Sequence, residues 1–415
     1  MMNLRHPLRT SGAILCVALC ASAVLIVGSR DGVKAQESKG TANVPRFQWD
    51  STWPQPLPDN MIMGQIGSVI VDSKDRIWIS QDTDILSKES GERIGSGWVR
   101  NFGTPAPPLL EFDQAGKLLR MFGGPNANFR SNTARGLSVD GKGNIWVGGV
   151  GPDDLKATDD QVIKLGPDGK FLMQIGRAGQ SKGSNDTKNI KNPGGEMVVD
   201  DAANEVYVAD GYSNKRVIVF DATTGAYKRH WGAYGNPPDD SYKMGPTNTS
   251  ADPYLRNPKD PLPKHFNMVT CVRMAKDGLV YVCDRDHGRL QVFRKDGTFV
   301  QEFVYAPRDV ADVVFSPDQV HMYFGDLVHD RVWIARRSDG VILGSFGTPG
   351  RYGGNVNHPH NLAIDSKGNL YVGETWAGRR VQRFLFKGLG FANVSETIPP
   401  PQYPGRVPKL GAGSQ

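Results

Sequence analysis

Along most of this chain apolar and polar positions alternate in short runs, and turn-forming residues interrupt the runs before any helical period can develop. Residues 196–232 (EMVVDDAANEVYVADGYSNKRVIVFDATTGAYKRHWG) show the pattern most fully. Apolar, β-branched or aromatic runs at 197–199, 206–209, 217–220 and 227–231 are separated by turn-formers, which predicts a four-stranded antiparallel meander. Four strands this short leave one sheet face without a partner, so the unit needs neighbours of its own kind.

The neighbours are present. SVIVDSKDRIWISQ from Ser68, LSVDGKGNIWVGG from Leu137, CVRMAKDGLVYVCD from Cys271, DVVFSPDQVHMYFGD from Asp312 and NLAIDSKGNLYVGE from Asn361 repeat the first two strands and their turn. Third strands such as RLQVF from Arg289, RVWIA from Arg331 and RVQRF from Arg380 follow, and fourth strands end in pairs such as Trp231-Gly232 and Phe346-Gly347. Six copies predict an all-β, six-bladed β-propeller of four-stranded antiparallel blades, because radial repetition gives every sheet face a partner. The sixth copy loses its pattern after Phe386, while an unassigned aromatic stretch (RFQWDSTW, residues 46–53) precedes the first. Ring closure therefore predicts that the early stretch supplies the last blade's missing strand. The propeller is assigned to residues 46–392, with a flexible segment at 36–45 and an irregular Pro/Gly-rich tail at 393–415. Long inserts at 82–108, 177–194 and 233–267 either decorate a rim or wall the mouth of the central channel.

Composition adds the compartment. Arg5 and Arg9 precede an apolar run at 13–28 and then small and polar residues, the pattern of a secretory leader over residues 1–35, with cleavage after Ala35 or near Ala23. The expected product is exported, periplasmic or secreted, without a stable membrane span after cleavage; the alternative is an uncleaved anchor, for which the apolar run is short. The whole chain carries a net charge of +6; the first 35 residues hold four basic residues and one acid, leaving +3. That is too mild for a nucleic-acid partner, and no basic run with interleaved aromatics occurs. Beyond the leader only Cys271 and Cys283 remain, equidistant from one turn, either as a disulfide or as two buried thiols.

Two sets of equivalent positions carry the candidate chemistry. Those just before the inner strands are Gly67, Arg135, Gly195, Thr270, Ala311 and His360, and the repeat register brings them around one axis. His358 lies two residues from His360, and His265 on the long insert is a more distant histidine. A zinc site needs three or four ligands, so a polar lining is the simpler reading. The second set is Gln81, Gly149, Asp210, Asp284, Asp326 and Glu374, four of which are followed by Arg216, Arg289, Arg331 and Arg379 or Arg380. Carboxylate and arginine at a fixed offset predict structural ion pairs at the blade corners. Tyr212, in the turn after Asp210, is the candidate proton donor or acceptor at the mouth.

DGYSNKRVIVF from Asp210, DRDHGRLQVF from Asp284 and PHNLAIDSKGNLYVGE from Pro359 resemble NHL repeats, most closely those of the six-bladed lyase domain that completes peptide amidation. The resemblance extends over residues 64–386 and implies a zinc site of three histidines with a tyrosine and an arginine beside it. By that resemblance His360 matches a zinc ligand and Tyr212 the catalytic tyrosine. Arg135 and Thr270 stand where the other two histidines belong, Asp82 where the arginine belongs, and His358 in place of a methionine. One zinc ligand in three is therefore retained. Two functions follow: an exported propeller that binds a small-molecule, peptide or protein ligand at its channel mouth through Arg135, Thr270, His358 and His360, or an enzyme, either amidating-lyase-like or a metal-dependent lactonase.

Overall fold

The computed structural model describes residues 33–34, 43–82, 104–123, 134–149, 160–242, 263–306 and 308–391. Each repeat begins with a strand whose final aspartate organises the following turn. Asp140 accepts the backbone N–H groups of Lys142 and Asn144 and, at 3.2 Å, the indole N–H of Trp146. Asp72 does the same for Lys74, Arg76 and Trp78, and Asp365 for Lys367, Asn369 and the Tyr371 hydroxyl. One carboxylate thereby closes the turn and fixes the first large aromatic of the next strand. The glycine in this turn adopts φ +82° at Gly143, Gly278 and Gly368 alike, a conformation that excludes most side chains.

Six antiparallel four-stranded sheets result. Taking the innermost strand first, blade 1 is Gln65–Val71, Ile77–Asp82, Leu109–Phe112 and Leu118–Phe122; blade 2 is Ala134–Val139, Ile145–Gly149, Val162–Leu165 and Phe171–Ile175. Blade 3 is Met197–Asp200, Glu205–Asp210, Arg216–Asp221 and Tyr227–Trp231; blade 4 is Val269–Met274, Val280–Asp284, Arg289–Phe293 and Phe299–Val304. Blade 5 is Val313–Phe315, His321–Asp326, Arg331–Arg336 and Ile342–Phe346. Blade 6 is Pro359–Ile364, Leu370–Glu374 and Arg380–Phe391, completed by Asn43–Asp50 from the start of the chain. The innermost strands touch in sequence, and blade 6 returns against blade 1, so the ring is closed. The chain is a six-bladed β-propeller.

The core lies between blades rather than at one centre. Six apolar clusters occupy the six interfaces, one of them joining Trp53, Ile66 and Phe112 to Ala363, Tyr371 and Val381 across the junction of blades 6 and 1. Each buried Val, Leu, Ile or Phe there contributes about 1.5–3 kcal/mol of transfer free energy, and no blade can collect that gain without its neighbours.

The closing strand begins at Asn43, inside the stretch expected to be flexible, because Val44 is buried against blade 5 with Tyr323 and Ile334. Asp50 anchors its far end by binding the Arg383 guanidinium. Val33 and Lys34 pair in parallel with Phe303 and Val304 on the outer edge of blade 4. The rest of the leader and the tail at 393–415 lie outside the described residues. Cys271 and Cys283 face each other in register and are bonded as a disulfide. Among the described residues no helix is long and apolar enough to cross a membrane.

Three of the four predicted corner ion pairs form as expected. Arg216 Nε lies 2.8 Å from Asp210, Arg289 Nε 2.7 Å from Asp284 and Arg380 Nε 2.9 Å from Glu374. In blade 5 the expectation needs correction: Asp326 and Arg331 are register partners, but the Asp326 carboxylate binds the Trp333 indole at 2.9 Å and the His329 ring at 2.7 Å. Gln81 fills the corner of blade 1 by bonding Gly64, Ala106 and Pro107. The insert at 177–194 is gathered by Arg216, which donates to the Ser184, Asp186 and Asn189 carbonyls. In the insert at 233–267, Tyr234 does not wall the mouth: it turns into blade 4 and bonds Glu302 and Arg289. Tyr242 stacks on His265, whereas Tyr254 and residues 83–103 of the first insert lie outside the described residues.

Candidate ligand site at the channel mouth

The turns between second and third strands and the entries into the innermost strands lie on one face of the ring. Tyr212 comes from such a turn in blade 3, and His360 from the entry of blade 6, directly opposite in blade order. Their side chains meet: the Tyr212 hydroxyl is 3.0 Å from His360 Nε2, joining residues 148 positions apart. The convergence expected from the repeat register is therefore present for this pair.

His360 is buried, and its Nδ1 lies 2.9 Å from Asn361 Oδ1. Burial, followed by the positive charge of Arg285 and then of Arg135 and His358, lowers its pKa to about 3, so the ring is neutral over the ordinary pH range. Arg285 was not legible as a site residue. It opens the turn Arg285–His287 in blade 4, where its guanidinium sits 6.0 Å from the Tyr212 ring centroid and its Nε bonds Asp286 at 2.9 Å. Asp286 keeps one buried carboxylate oxygen without a hydrogen-bond partner. An arginine thus stands beside the tyrosine, supplied from a different blade than the position of Asp82 would have used.

The other expected site residues divide. Arg135 is half-buried on blade 2, and its carbonyl accepts the Ser80 hydroxyl at 2.7 Å while its charge reaches His360. His358 packs its ring 4.7 Å from Trp376 and donates its backbone N–H to Asp330 Oδ1 at 2.7 Å; its Nδ1 contacts Asn357 Oδ1. The buried Thr270 hydroxyl donates to the Ala311 carbonyl at 2.7 Å, which links blade 4 to blade 5 and commits its hydrogen to the scaffold.

Below this layer lies a network absent from the expected site. One position further along the inner strands, Ser68, Glu196, Asp312 and Asn361 point at one another, together with Arg273. Glu196 accepts the Ser68 hydroxyl at 2.8 Å, the Asn361 amide at 2.6 Å and the Leu137 backbone N–H. Arg273 forks onto Asp312 at 2.9 and 2.6 Å and approaches Glu196 at 3.7 Å. All six blades contribute to this cluster. Burial is the largest influence on Glu196 and, with the Asp312 charge, pushes its pKa up to about 8 against the pull of Arg273. The sequence signal was an acid inside an apolar strand, as in GGEMVV and ADVVF, where a charge survives only if paired.

The three-histidine zinc arrangement implied by the family resemblance does not fit these residues. Arg135 carries a positive charge where a second ligand would be needed, and at the third position the Thr270 hydroxyl is spent on the Ala311 carbonyl, so His360 stands without the other two histidines. Among the described residues, the group of three His, Cys, Asp or Glu side chains with converging ligand atoms is Cys271, Cys283 and Asp312, and its two sulfurs are bonded to each other.

The sequence pattern of the NHL repeat matches residues 266–293, in blade 4. Over 358 residues, 83% of this chain, the sequence is 28% identical to peptidyl-glycine alpha-amidating monooxygenase B of Xenopus laevis. It is also 24% identical to NHL repeat-containing protein 3 of Mus musculus, covering 70% of this chain and 76% of that protein. This chain spans about a third of the length of the monooxygenases it matches. Among solved structures, a Bacteroides thetaiotaomicron protein of unknown function superposes with a TM-score of 0.50 at 11% identity, over 86% of this chain and 75% of that one, a likeness of fold.

Proposed function

We propose that this NHL-repeat propeller, related to the amidating monooxygenases, is an exported protein that binds an anionic ligand, a carboxylate-bearing small molecule or peptide end, at its channel mouth. The observation that carries the reading is the placement of Arg285 and Arg135 around Tyr212 and the neutral His360 ring. A guanidinium in a desolvated setting binds a carboxylate through short, charge-assisted hydrogen bonds, and a neutral imidazole beside it does not compete for the anion. Arg135 replaces a divalent cation's charge with a fixed one, so the ligand preference passes from metal-bound chemistry to direct anion capture. Export is supported by the leader pattern and by the Cys271–Cys283 disulfide, which persists in oxidising compartments.

Calorimetry with a peptide carrying a free C-terminal carboxylate, against the same peptide amidated, tests this. The free acid should bind and the amide should lose about tenfold or more in affinity; Arg135→Gln should abolish the difference. Equal binding of both peptides, or of neither, would sink the reading.

The Tyr212–His360 contact and the similarity to amidating monooxygenases favour a second reading, a lyase-like enzyme with a rebuilt site. Metal analysis separates the two. The purified protein should lack stoichiometric zinc, and Arg135→His combined with Thr270→His should raise zinc affinity while weakening anion binding. Stoichiometric zinc in the unaltered chain, lost on His360→Ala, would favour the enzyme.

A further inference from the structure

A chain of side-chain hydrogen bonds runs from the mouth into the axis. The Tyr212 hydroxyl meets His360 Nε2 at 3.0 Å, His360 Nδ1 meets Asn361 Oδ1 at 2.9 Å, and Asn361 Nδ2 meets Glu196 Oε1 at 2.6 Å. Its far end sets its direction. In its ionised form, present above its raised pKa of about 8, Glu196 also accepts from the Ser68 hydroxyl and the Leu137 N–H and faces the Arg273 guanidinium, so it is surrounded by donors, and the tautomer is to be read above that pH.

The remaining assignments follow from the donor and acceptor inventory. An amide that donates through Nδ2 to Glu196 turns Oδ1 toward the imidazole. A carbonyl oxygen only accepts, so the hydrogen between Asn361 and His360 sits on Nδ1. A neutral imidazole has one N–H, so Nε2 carries a lone pair, and the hydrogen toward it comes from the Tyr212 hydroxyl. Glu196 comes from blade 3, Ser68 from blade 1 and Asn361 from blade 6, so the direction is built into ring closure rather than into one loop.

We propose that Asn361 and Glu196 are positioning residues that hold His360 as its Nδ1-protonated tautomer, so that Nε2 is a fixed proton acceptor for Tyr212 at the channel mouth. This rests on the preceding reading only in that the mouth is where a ligand lands. A division of labour follows. With its hydrogen directed inward, the Tyr212 oxygen offers lone pairs to the ligand, so it accepts N–H or O–H groups while Arg135 and Arg285 take the negative charge.

The test is ¹⁵N long-range correlation of the histidine side chains in the full mature chain, with His360 assigned by its loss in His360→Gln. The unaltered protein should show hydrogen on Nδ1 and a bare Nε2. Asn361→Ala should shift the population toward the Nε2-protonated tautomer, and Asn361→Asp, which still accepts from Nδ1, should restore the native pattern. Glu196→Ala should mimic Asn361→Ala and Glu196→Gln should not. Hydrogen on Nε2 in the unaltered protein, or an unchanged tautomer in a folded Asn361→Ala variant, overturns the proposal. Should the alanine variants fail to fold, the unaltered protein and Asn361→Asp decide it. Calorimetry with the C-terminal peptide carboxylate is read separately: no binding with hydrogen on Nδ1 defeats the anion reading alone, and binding with hydrogen on Nε2 defeats the relay alone.

Discussion

Asp210 shows what a single corner carboxylate does. It accepts the Lys191 N–H, the Asn214 amide and Arg216 Nε, while Arg216 spends its other donors on the insert at 177–194. Replacing Asp210 by Ala leaves a buried guanidinium without its counter-charge and should cost about 3–5 kcal/mol in denaturant unfolding. Asp210→Asn, which keeps an acceptor, should cost less; loss of anion binding at undiminished stability would instead make the residue functional. Glu374 gives a pH signature. Burial, against the pull of Arg380, raises its carboxyl from 4.5 to about 7 in the folded state. The folded chain then holds this proton more tightly than the unfolded one, so the contribution of Glu374 to stability is greatest below about pH 4.5, falls as pH rises to about 7, and is flat above. Melting temperature followed across this window should decline less in Glu374→Gln than in the unaltered protein; parallel profiles would show that Glu374 does not titrate there. His360 was legible in the sequence because it occupies a repeat-equivalent position, and Tyr212 because it follows the repeat-equivalent Asp210 and matches the tyrosine of the lyase that the chain resembles. Arg285, in the corresponding turn after Asp284, was not, since that turn offers Arg285, Asp286 and His287 alike and only the folded chain sets Arg285 beside Tyr212.

At the scale of the strand and blade, legibility followed the turn chemistry. Asp140, Gly143 and Trp146 occupy fixed offsets because one carboxylate, one left-handed glycine and one indole make a single local structure, and such units recur visibly. In blade 5 the Asp326 carboxylate is taken up by the His329 ring and the Trp333 indole, two side chains that the carboxylate–arginine spacing does not report. The early boundary at Asn43 likewise depends on a neighbour, blade 5, that no local pattern reports. The closing strand offers the clearest test at this scale. Phe47 packs edge-on to Tyr323 at 5.4 Å and against Phe346 at 5.0 Å, so the strand holds two blades together. Deleting residues 36–55 removes this contact and Trp53 and exposes the Arg380–Phe391 edge. A sharply lowered melting temperature with concentration-dependent aggregation is expected, and an unchanged one would refute closure as a source of stability.

For the whole molecule, the axial cluster and the closing strand place their contacts between residues far apart in the chain. Asp50 and Arg383 are separated by 333 positions, and Glu196 reaches Asn361 across 165. Cutting the cluster with Arg273→Ala should therefore destabilise all blades together, as one cooperative transition shifted by about 3–5 kcal/mol; a separate early transition confined to blade 4 would show the ring to be less coupled. The same separation has a consequence during synthesis. At about 5–20 residues per second, the strand Asn43–Asp50 emerges roughly 20–70 s before the strand it must join. For that interval Phe47 and Trp49 belong to an unpaired edge, and five blades can assemble while the sixth cannot. Ring closure is thus the last pairing open to a newly made chain, since the strand Asn43–Asp50 has no partner until Arg380–Phe391 follows it.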